Sequence, residues 1–131
     1  MFFNFADLSK SEKIEFLIKK YDRPIRICAM VKNLGEPGGG PFFAMQNDDT
    51  ATLQIVEKAQ IDLSNPKTKE IFDNSTHFNP VDIVLSPMRY NGEKFNLLEF
   101  VDPNTAFISE KSKDGKMLKA LELPGLWNGA M

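Results

Sequence analysis

With 131 residues, of which 42% are hydrophobic and 26% charged, the chain has the composition of one folded domain rather than of a disordered segment. Its formal net charge of −2, from 18 acidic and 16 basic residues, argues against nucleic-acid binding, which usually needs a basic excess or stripe. No apolar run in the sequence is long enough to span a bilayer, and the single cysteine, Cys28, excludes an internal disulfide and suits a reducing cytoplasm.

The first predicted element is a helix that begins after Ser9. Ser9 and Glu12 have the spacing of a capping box, and apolar residues then recur at helical intervals up to Tyr21. Asp22-Arg23-Pro24 ends this helix because proline cannot continue it. Residues 25–31 are mostly apolar on both faces, which predicts a strand in the centre of a sheet.

Two strands and a short helix are predicted after a glycine-rich stretch. The strands cover residues 42–45 and 52–57, on either side of the turn residues Asn47-Asp48-Asp49. Asn65-Pro66 has the pattern of a helix N-cap followed by proline at the first helical position. The pattern therefore predicts a short helix that ends near Phe72.

The last third of the chain contains a repeated helix signal and a hairpin signal. Asn79-Pro80 repeats the N-cap pattern before an apolar run, and residues 95–101 fit either a strand or a short helix. Asp114-Gly115, between the apolar segments 106–110 and 117–123, predicts a β-hairpin. These elements together predict the α/β class, with a mixed sheet and short flanking helices.

The stretch Glu36-Pro37-Gly38-Gly39-Gly40-Pro41 is the strongest candidate for ligand binding. Prolines restrict the backbone on both sides, while Gly38, Gly39 and Gly40 allow a ligand to approach the main chain closely. The spacing matches neither a P-loop nor the dinucleotide fingerprint, so the expected ligand is an anion or a sugar hydroxyl. The alternative is a tight connection between two strands that binds nothing.

Polar residues farther along the chain are further candidates. Glu57 ends an apolar strand, where its carboxylate could accept hydrogen bonds from two sugar hydroxyls, face solvent, or pair with Lys58 or Lys32. His77, the only histidine, lies in the polar segment Asn74-Ser75-Thr76-His77, and it is a candidate general base or hydrogen-bond donor, or else a structural residue. One histidine and one cysteine cannot form a His- or Cys-rich metal site, so we predict no metal ligand.

Several long segments together resemble the C-terminal part of a large bacterial family called domain of unknown function four-three-zero-one. The resemblance covers nearly all of the chain from about Glu12 onward, and the family label implies no established activity. The segments that carry it, beside the glycine stretch, are Arg23-Pro24-Ile25-Arg26-Ile27-Cys28, Met30-Val31-Lys32-Asn33, Leu53-Gln54-Ile55-Val56-Glu57, Ser75-Thr76-His77-Phe78-Asn79-Pro80-Val81-Asp82 and Lys119-Ala120-Leu121-Glu122-Leu123-Pro124-Gly125-Leu126-Trp127-Asn128-Gly129-Ala130-Met131.

The order of Glu36-Pro37, Val56-Glu57 and His77-Phe78 is also similar to UDP-N-acetylhexosamine pyrophosphorylases. That resemblance implies a nucleotidyltransferase (GT-A-like) fold, in which a nucleoside triphosphate is joined to a sugar 1-phosphate with Mg²⁺. It places Gly39 on a glycine whose backbone contacts the sugar and Glu57 on a glutamate that binds sugar hydroxyls. An asparagine of the same site falls near Asp73 or Asn74. The interval from Gly39 to Glu57 is longer here than in those enzymes.

The pyrophosphorylase loop that binds the nucleotide triphosphate has no counterpart in this chain. The resemblance therefore implies that residues 1–131 form a single domain and a fragment of a larger protein, which binds a sugar phosphate or nucleotide sugar. Without an N-terminal nucleotide-binding half or a partner chain that supplies it, the domain is expected to be catalytically incomplete, with Mg²⁺ bound only in the complete protein.

The alternative function is a non-catalytic scaffold or assembly module with a degenerate site. Eleven phenylalanines and the apolar end of the chain at residues 123–131 favour it, and they also suggest self-association. Convergence of Glu57 with the glycine loop would favour the ligand-binding function, whereas a flat apolar face would favour assembly.

Overall fold

The computed structural model describes residues 4–36 and 38–123. Pro37 and the apolar residues 124–131 lie outside this part, and so does most of the C-terminal segment that suggested assembly. No helix in the described ranges is long and apolar enough to cross a membrane. In chain order the helices and strands are α1 (Lys10–Tyr21), β1 (Ile25–Lys32), β2 (Gly40–Met45), β3 (Ala51–Val56), α2 (Pro66–Asp73), β4 (His77–Ser86), β5 (Phe107–Lys113) and β6 (Lys116–Glu122).

Both α-helices begin as their cap residues predict. The Ser9 side chain accepts a hydrogen bond from the Glu12 N–H, and the Glu12 carboxylate accepts one from the Ser9 N–H at 2.8 Å. This reciprocal pair satisfies donors that the first turn of a helix leaves without partners. In α2, the Asn65 side chain accepts a hydrogen bond from the Lys67 N–H, and Pro66 occupies the first helical position.

The described strands form three separate antiparallel pairs, β1–β4, β2–β3 and β5–β6. Two of these pairs are hairpins, and Asp114 and Gly115 supply the two positive φ angles, 53° and 76°, that the tight β5–β6 turn requires. The mixed α/β class is confirmed. The single mixed sheet is not found among the described strands, because each strand pairs with one partner only and all three pairs are antiparallel.

Asn79-Pro80 was predicted to start a helix, and this prediction is wrong because both residues lie inside β4. The pairing with β1 shifts twice around Met30, which pairs with Pro80 and leaves Asn79 and Val81 as extra residues on β4. Such bulges accommodate a proline, which cannot donate a ladder hydrogen bond, and Asn79 adopts a φ of +37° there. Long-range pairing with β1 therefore overrides the local cap signal.

The central position predicted for β1 is also wrong in the described part of the chain, where β1 pairs with β4 alone. Ile27 and its partner Val84 lie on the same face of this pair and are 67% and 66% exposed. The opposite face, with Arg26 and Cys28, is half-buried against Pro41 and Ile55. β1 thus has apolar residues on both faces, but only one of these faces is covered and the other is open.

A small core forms around Phe95 and Ile55, which are 7% and 6% exposed. The Phe95 ring packs edge-on against Phe100 with centroids 5.3 Å apart, and the Arg89 guanidinium lies 4.8 Å from the Phe95 ring centre. Arg89 Nη1 also bonds Asp22 Oδ2 at 2.7 Å, which ties the end of α1 to this core. Between the two phenylalanines, the segment predicted as a strand or short helix contains a 3₁₀ turn at Leu97–Phe100.

Candidate functional site

The glycine triplet, Gly38 to Gly40, lies at the start of β2, where the chain is close to the end of β3 and the start of β4. A β-carbon on Gly39 would stand 2.4 Å from the Val56 carbonyl oxygen and 2.8 Å from the Glu57 Cα, and one on Gly40 would stand 2.6 Å from the His77 carbonyl oxygen. Real β-carbons do not approach other atoms so closely, so both positions require glycine. The Asn79 N–H also donates a hydrogen bond to the Gly39 carbonyl oxygen at 3.3 Å.

The glycine triplet brings together Glu57 and His77, two candidates that are 20 positions apart in the chain. The Glu57 carboxylate reaches Gly39, since its Oε2 would lie 3.0 Å from a β-carbon there. Gly38 lies over the start of β4, where a β-carbon would meet Asn79 Oδ1 at 3.5 Å. These contacts explain the glycines by close backbone packing, and they also place a carboxylate beside the glycine loop.

Glu57 is held in place by Gln60, a residue that the sequence analysis did not select. The Glu57 N–H donates a hydrogen bond to Gln60 Oε1 at 2.7 Å, and Gln60 Nε2 donates to the Thr105 carbonyl oxygen at 2.6 Å. The Glu57-x-x-Gln60 spacing is that of a capping box, which is the signal that would have found it. The half-buried Glu57 forms no ion pair with Lys58 or Lys32 in the structure, and the Lys58 ammonium lies 5.9 Å from the Phe72 ring centre.

His77 and Asn74 differ in whether they contact the glycine triplet. The exposed His77 ring shares a hydrogen bond with the neighbouring Thr76 hydroxyl at 2.9 Å, while its backbone contacts Gly40. Asn74 ends α2, and its side-chain amide donates to the Glu70 carbonyl oxygen at 2.8 Å. In the described ranges, Asn74 has no hydrogen bond to the glycines, Glu57 or His77. Asn74 thus caps α2, and of these two residues only His77 contacts the glycine triplet.

Two adjoining cavities of about 430 and 280 Å³ form a cleft next to the region around Glu57. The cleft lies between the end of α1, the β2–β3 hairpin and the 3₁₀ turns at Leu97–Phe100 and Pro103–Thr105. Val56 and Gln60 line the smaller cavity and connect it to the Glu57 region. We call it the Arg23 cleft, after one of the residues that line both cavities: Arg23, Gln46, Phe100, Asp102 and Asn104.

An ion pair between Lys20 and Asp48 forms part of the cleft wall. Lys20 Nζ lies 2.7 Å from Asp48 Oδ2 and also donates to the Thr50 hydroxyl at 2.7 Å. The hydrogen bond from Lys20, followed by that from Thr50, lowers the pKa of Asp48 from 3.8 to about 2. Asp48, which the sequence placed in a simple turn, is therefore a paired anion at neutral pH.

The described residues contain no group of three His, Cys, Asp or Glu side chains that could hold a metal ion. Cys28 is a free, half-buried thiol on the inner face of β1. What the arrangement offers instead is hydrogen bonding: one carboxylate beside a glycine loop, and a separate cleft lined by an arginine and carboxamides.

The fold and these sites define a small mixed α/β domain with short helices and antiparallel strand pairs. The family model described as "Domain of unknown function (DUF4301)" matches residues 2–131, and the chain belongs to this family. The family predicted from the sequence is thus confirmed. No curated protein and no solved structure shows significant similarity to the chain.

Proposed function

We propose that the domain binds a sugar phosphate or nucleotide sugar through the glycine loop, Glu57 and the His77 segment. The observation that carries this proposal is the position of the Glu57 carboxylate beside Gly39. A carboxylate accepts hydrogen bonds from two adjacent hydroxyls, and charged acceptors form stronger hydrogen bonds than neutral ones. Glu57 forms no ion pair with Lys58 or Lys32, so a ligand would not have to displace a lysine from its carboxylate.

The glycines, Glu57, His77 and Asn74 have separate roles in this proposal. The buried Gly39 and Gly40 hold Glu57 and the start of β4 in place, the half-buried Gly38 lets the main chain approach the ligand, and the Glu57 carboxylate receives the sugar hydroxyls. The exposed His77 ring lies at the edge, where it contacts the remainder of the ligand. Asn74 contributes only if its amide leaves the Glu70 carbonyl.

The choice of ligand follows from the order of Glu36-Pro37, Val56-Glu57 and His77-Phe78, which resembles that of UDP-N-acetylhexosamine pyrophosphorylases, and the proposal is that the domain belongs to a larger GT-A-like nucleotidyltransferase in the cytoplasm. In that enzyme, a nucleotide-binding half would supply the triphosphate loop and the Mg²⁺ site. The present chain then contributes sugar recognition and no catalytic group, since transfer of a nucleotidyl group depends on positioning and on cations at the phosphates.

A thermal-shift panel of nucleotide sugars and sugar 1-phosphates, with and without Mg²⁺, tests the proposal. A ligand that binds the native state raises its stability, so at least one member should raise the melting temperature in a saturable way. Glu57→Ala should abolish this rise. Glu70→Ala is the matched control, because Glu70 is an exposed carboxylate on α2, and it should leave the rise unchanged. A folded wild-type protein that responds to no member contradicts the proposal.

A second candidate function, self-assembly, is favoured by the open face of the β1–β4 pair. Ile25, Ile27 and Val84 are 58%, 67% and 66% exposed on this one face. Exposed apolar side chains grouped on one face mark an interaction surface more often than scattered ones do. Sedimentation equilibrium should then show a dimer that Ile27→Glu converts to a monomer, whereas the same change at the exposed Ser112 of β5 should have no such effect. A monomeric wild type at high concentration contradicts this candidate.

A further inference from the structure

We propose that the Arg23 cleft is a second binding site, which holds the phosphate of a small phosphomonoester. This site is independent of the sugar-side proposal, because its lining does not include the glycine triplet, Glu57 or His77. It depends on the placement of one arginine and on the charges around it.

Arg23 is fixed at its backbone and unpaired at its side chain. Asp22 before it is anchored by Arg89, and Pro24 after it is buried. The half-buried Arg23 side chain lines both cavities and forms no hydrogen bond or ion pair with the described residues. A cation in such a place is costly unless it is paired, and the planar guanidinium matches a phosphate through two parallel hydrogen bonds.

Of the basic side chains that line the cleft, Arg23 and Lys19 are the ones available to bind an anion. Lys20 is already bonded to Asp48 and Thr50. Lys19 is exposed in the wall of the larger cavity and has no partner among the described residues. Two cations without partners on the α1 side of the cleft suit one phosphate group.

Two carboxylates in the lining of the larger cavity limit the charge that the ligand can carry. Asp102 accepts a hydrogen bond from the Asn104 N–H at 2.9 Å, and Glu99 accepts one from the Asn96 side chain at 3.1 Å. Both carboxylates line the larger cavity, so a polyphosphate would meet repulsion there. The charge distribution therefore selects a monoester over a pyrophosphate.

The remainder of the ligand would contact carboxamides and one aromatic ring. Gln46 and Asn104 line both cavities and offer acceptors and donors to hydroxyl groups, while Phe100 supplies an apolar surface. Cavities of about 430 and 280 Å³ suit a small metabolite rather than a macromolecule.

The test is an NMR titration of ¹⁵N-labelled protein with inorganic phosphate, glycerol phosphate and pyrophosphate. Saturable shifts are expected at the Arg23 side chain and at the Gln46 and Asn104 amides, with glycerol phosphate binding more tightly than pyrophosphate. Arg23→Gln should weaken binding by about tenfold or more, a loss of about 1.4 kcal/mol. Arg23→Gln should keep the melting temperature of the wild type, since the side chain it replaces has no partner to lose.

Two control variants separate this site from others. Lys10→Gln removes an exposed charge at the far end of α1 and should leave phosphate binding unchanged. Glu57→Gln should also leave it unchanged, which distinguishes a failure here from a failure of the sugar-side proposal. The proposal is overturned by non-saturable shifts, by equal affinity of Arg23→Gln and wild type, or by tighter binding of pyrophosphate.

Discussion

Gly39 stands so close to the end of β3 that a β-carbon there would lie 2.4 Å from the carbonyl oxygen of Val56. The next atom in its way would be the Cα of Glu57, at 2.8 Å. Both obstacles are backbone atoms, which cannot rotate aside as a flexible side chain can. The junction of β2 and β3, and with it the position of Glu57, therefore depends on this single glycine.

Gly39→Ala should destabilise the protein by more than about 2 kcal/mol, because overpacking against rigid neighbours forces the backbone to move. Urea denaturation measures the effect. Gly92→Ala is the comparison: a β-carbon at Gly92 meets nothing within 4 Å, and only its φ of +87° is unfavourable. We expect Gly92→Ala to cost about 1 kcal/mol. Equal costs for the two variants would contradict the close approach at Gly39.

Phe95→Ala should cost about 3 kcal/mol, since Phe95 is 7% exposed and packs against Phe100 and Arg89. Phe43→Ala should change the free energy of unfolding by less than about 0.5 kcal/mol, because Phe43 is 78% exposed. Both changes remove the same atoms, so a difference between the two free energies of unfolding, measured by denaturation, reflects only the surroundings of the two side chains. A large loss at Phe43 would show that another surface covers it.

Asp48 should make the protein sensitive to acid. Its pKa is lowered from 3.8 to about 2 by its hydrogen bonds with Lys20 and Thr50, so the stabilisation is complete above pH 4 and is lost as the pH falls from 3.8 to 2. The side chain is 29% exposed, and after allowance for solvent screening we expect about 1 kcal/mol. Asp48→Asn should therefore be less stable than wild type at pH 6, and the difference should shrink as the pH falls through 2. A difference independent of pH would contradict the pairing.

Removal of Arg89 should be more harmful than removal of both members of its ion pair. Asp22 is 13% exposed, and its Oδ1 is buried without a hydrogen-bond partner in the structure. Arg89→Ala leaves this carboxylate uncompensated, for which we expect a loss of about 3 kcal/mol. In Arg89→Ala with Asp22→Asn, the buried charge is absent and part of the stability should return. A double-mutant cycle from denaturation curves measures this, and strictly additive losses would rule out the coupling.

Local signals in the sequence predicted most elements correctly. Ser9 with Glu12, and Asn65 with Pro66, start the two helices because capping is a contact between near neighbours in the chain. Asp114-Gly115 predicted the β5–β6 hairpin for a similar reason, since positive φ is a property of the turn residues themselves.

The errors arose where distant residues decide the structure. Asn79-Pro80 has the same local pattern as Asn65-Pro66, yet pairing with β1 makes it part of a strand. For the candidate site too, the sequence indicates individual residues but not the long-range contacts between them. The sequence selected Gly39, Glu57 and His77, but the strand packing that brings them together could not be read from spacing. Arg23 was treated as a helix end, because the cleft around it is built from segments far apart in the chain.

Isothermal titration calorimetry with UDP-N-acetylglucosamine tests most directly whether Glu57 beside the glycine loop binds a sugar-bearing ligand. We expect saturable binding by the wild type and by Glu70→Gln, with affinity reduced about tenfold or more in Glu57→Gln. Equal affinity for wild type and Glu57→Gln, or no binding heat from a folded wild-type sample, would contradict it.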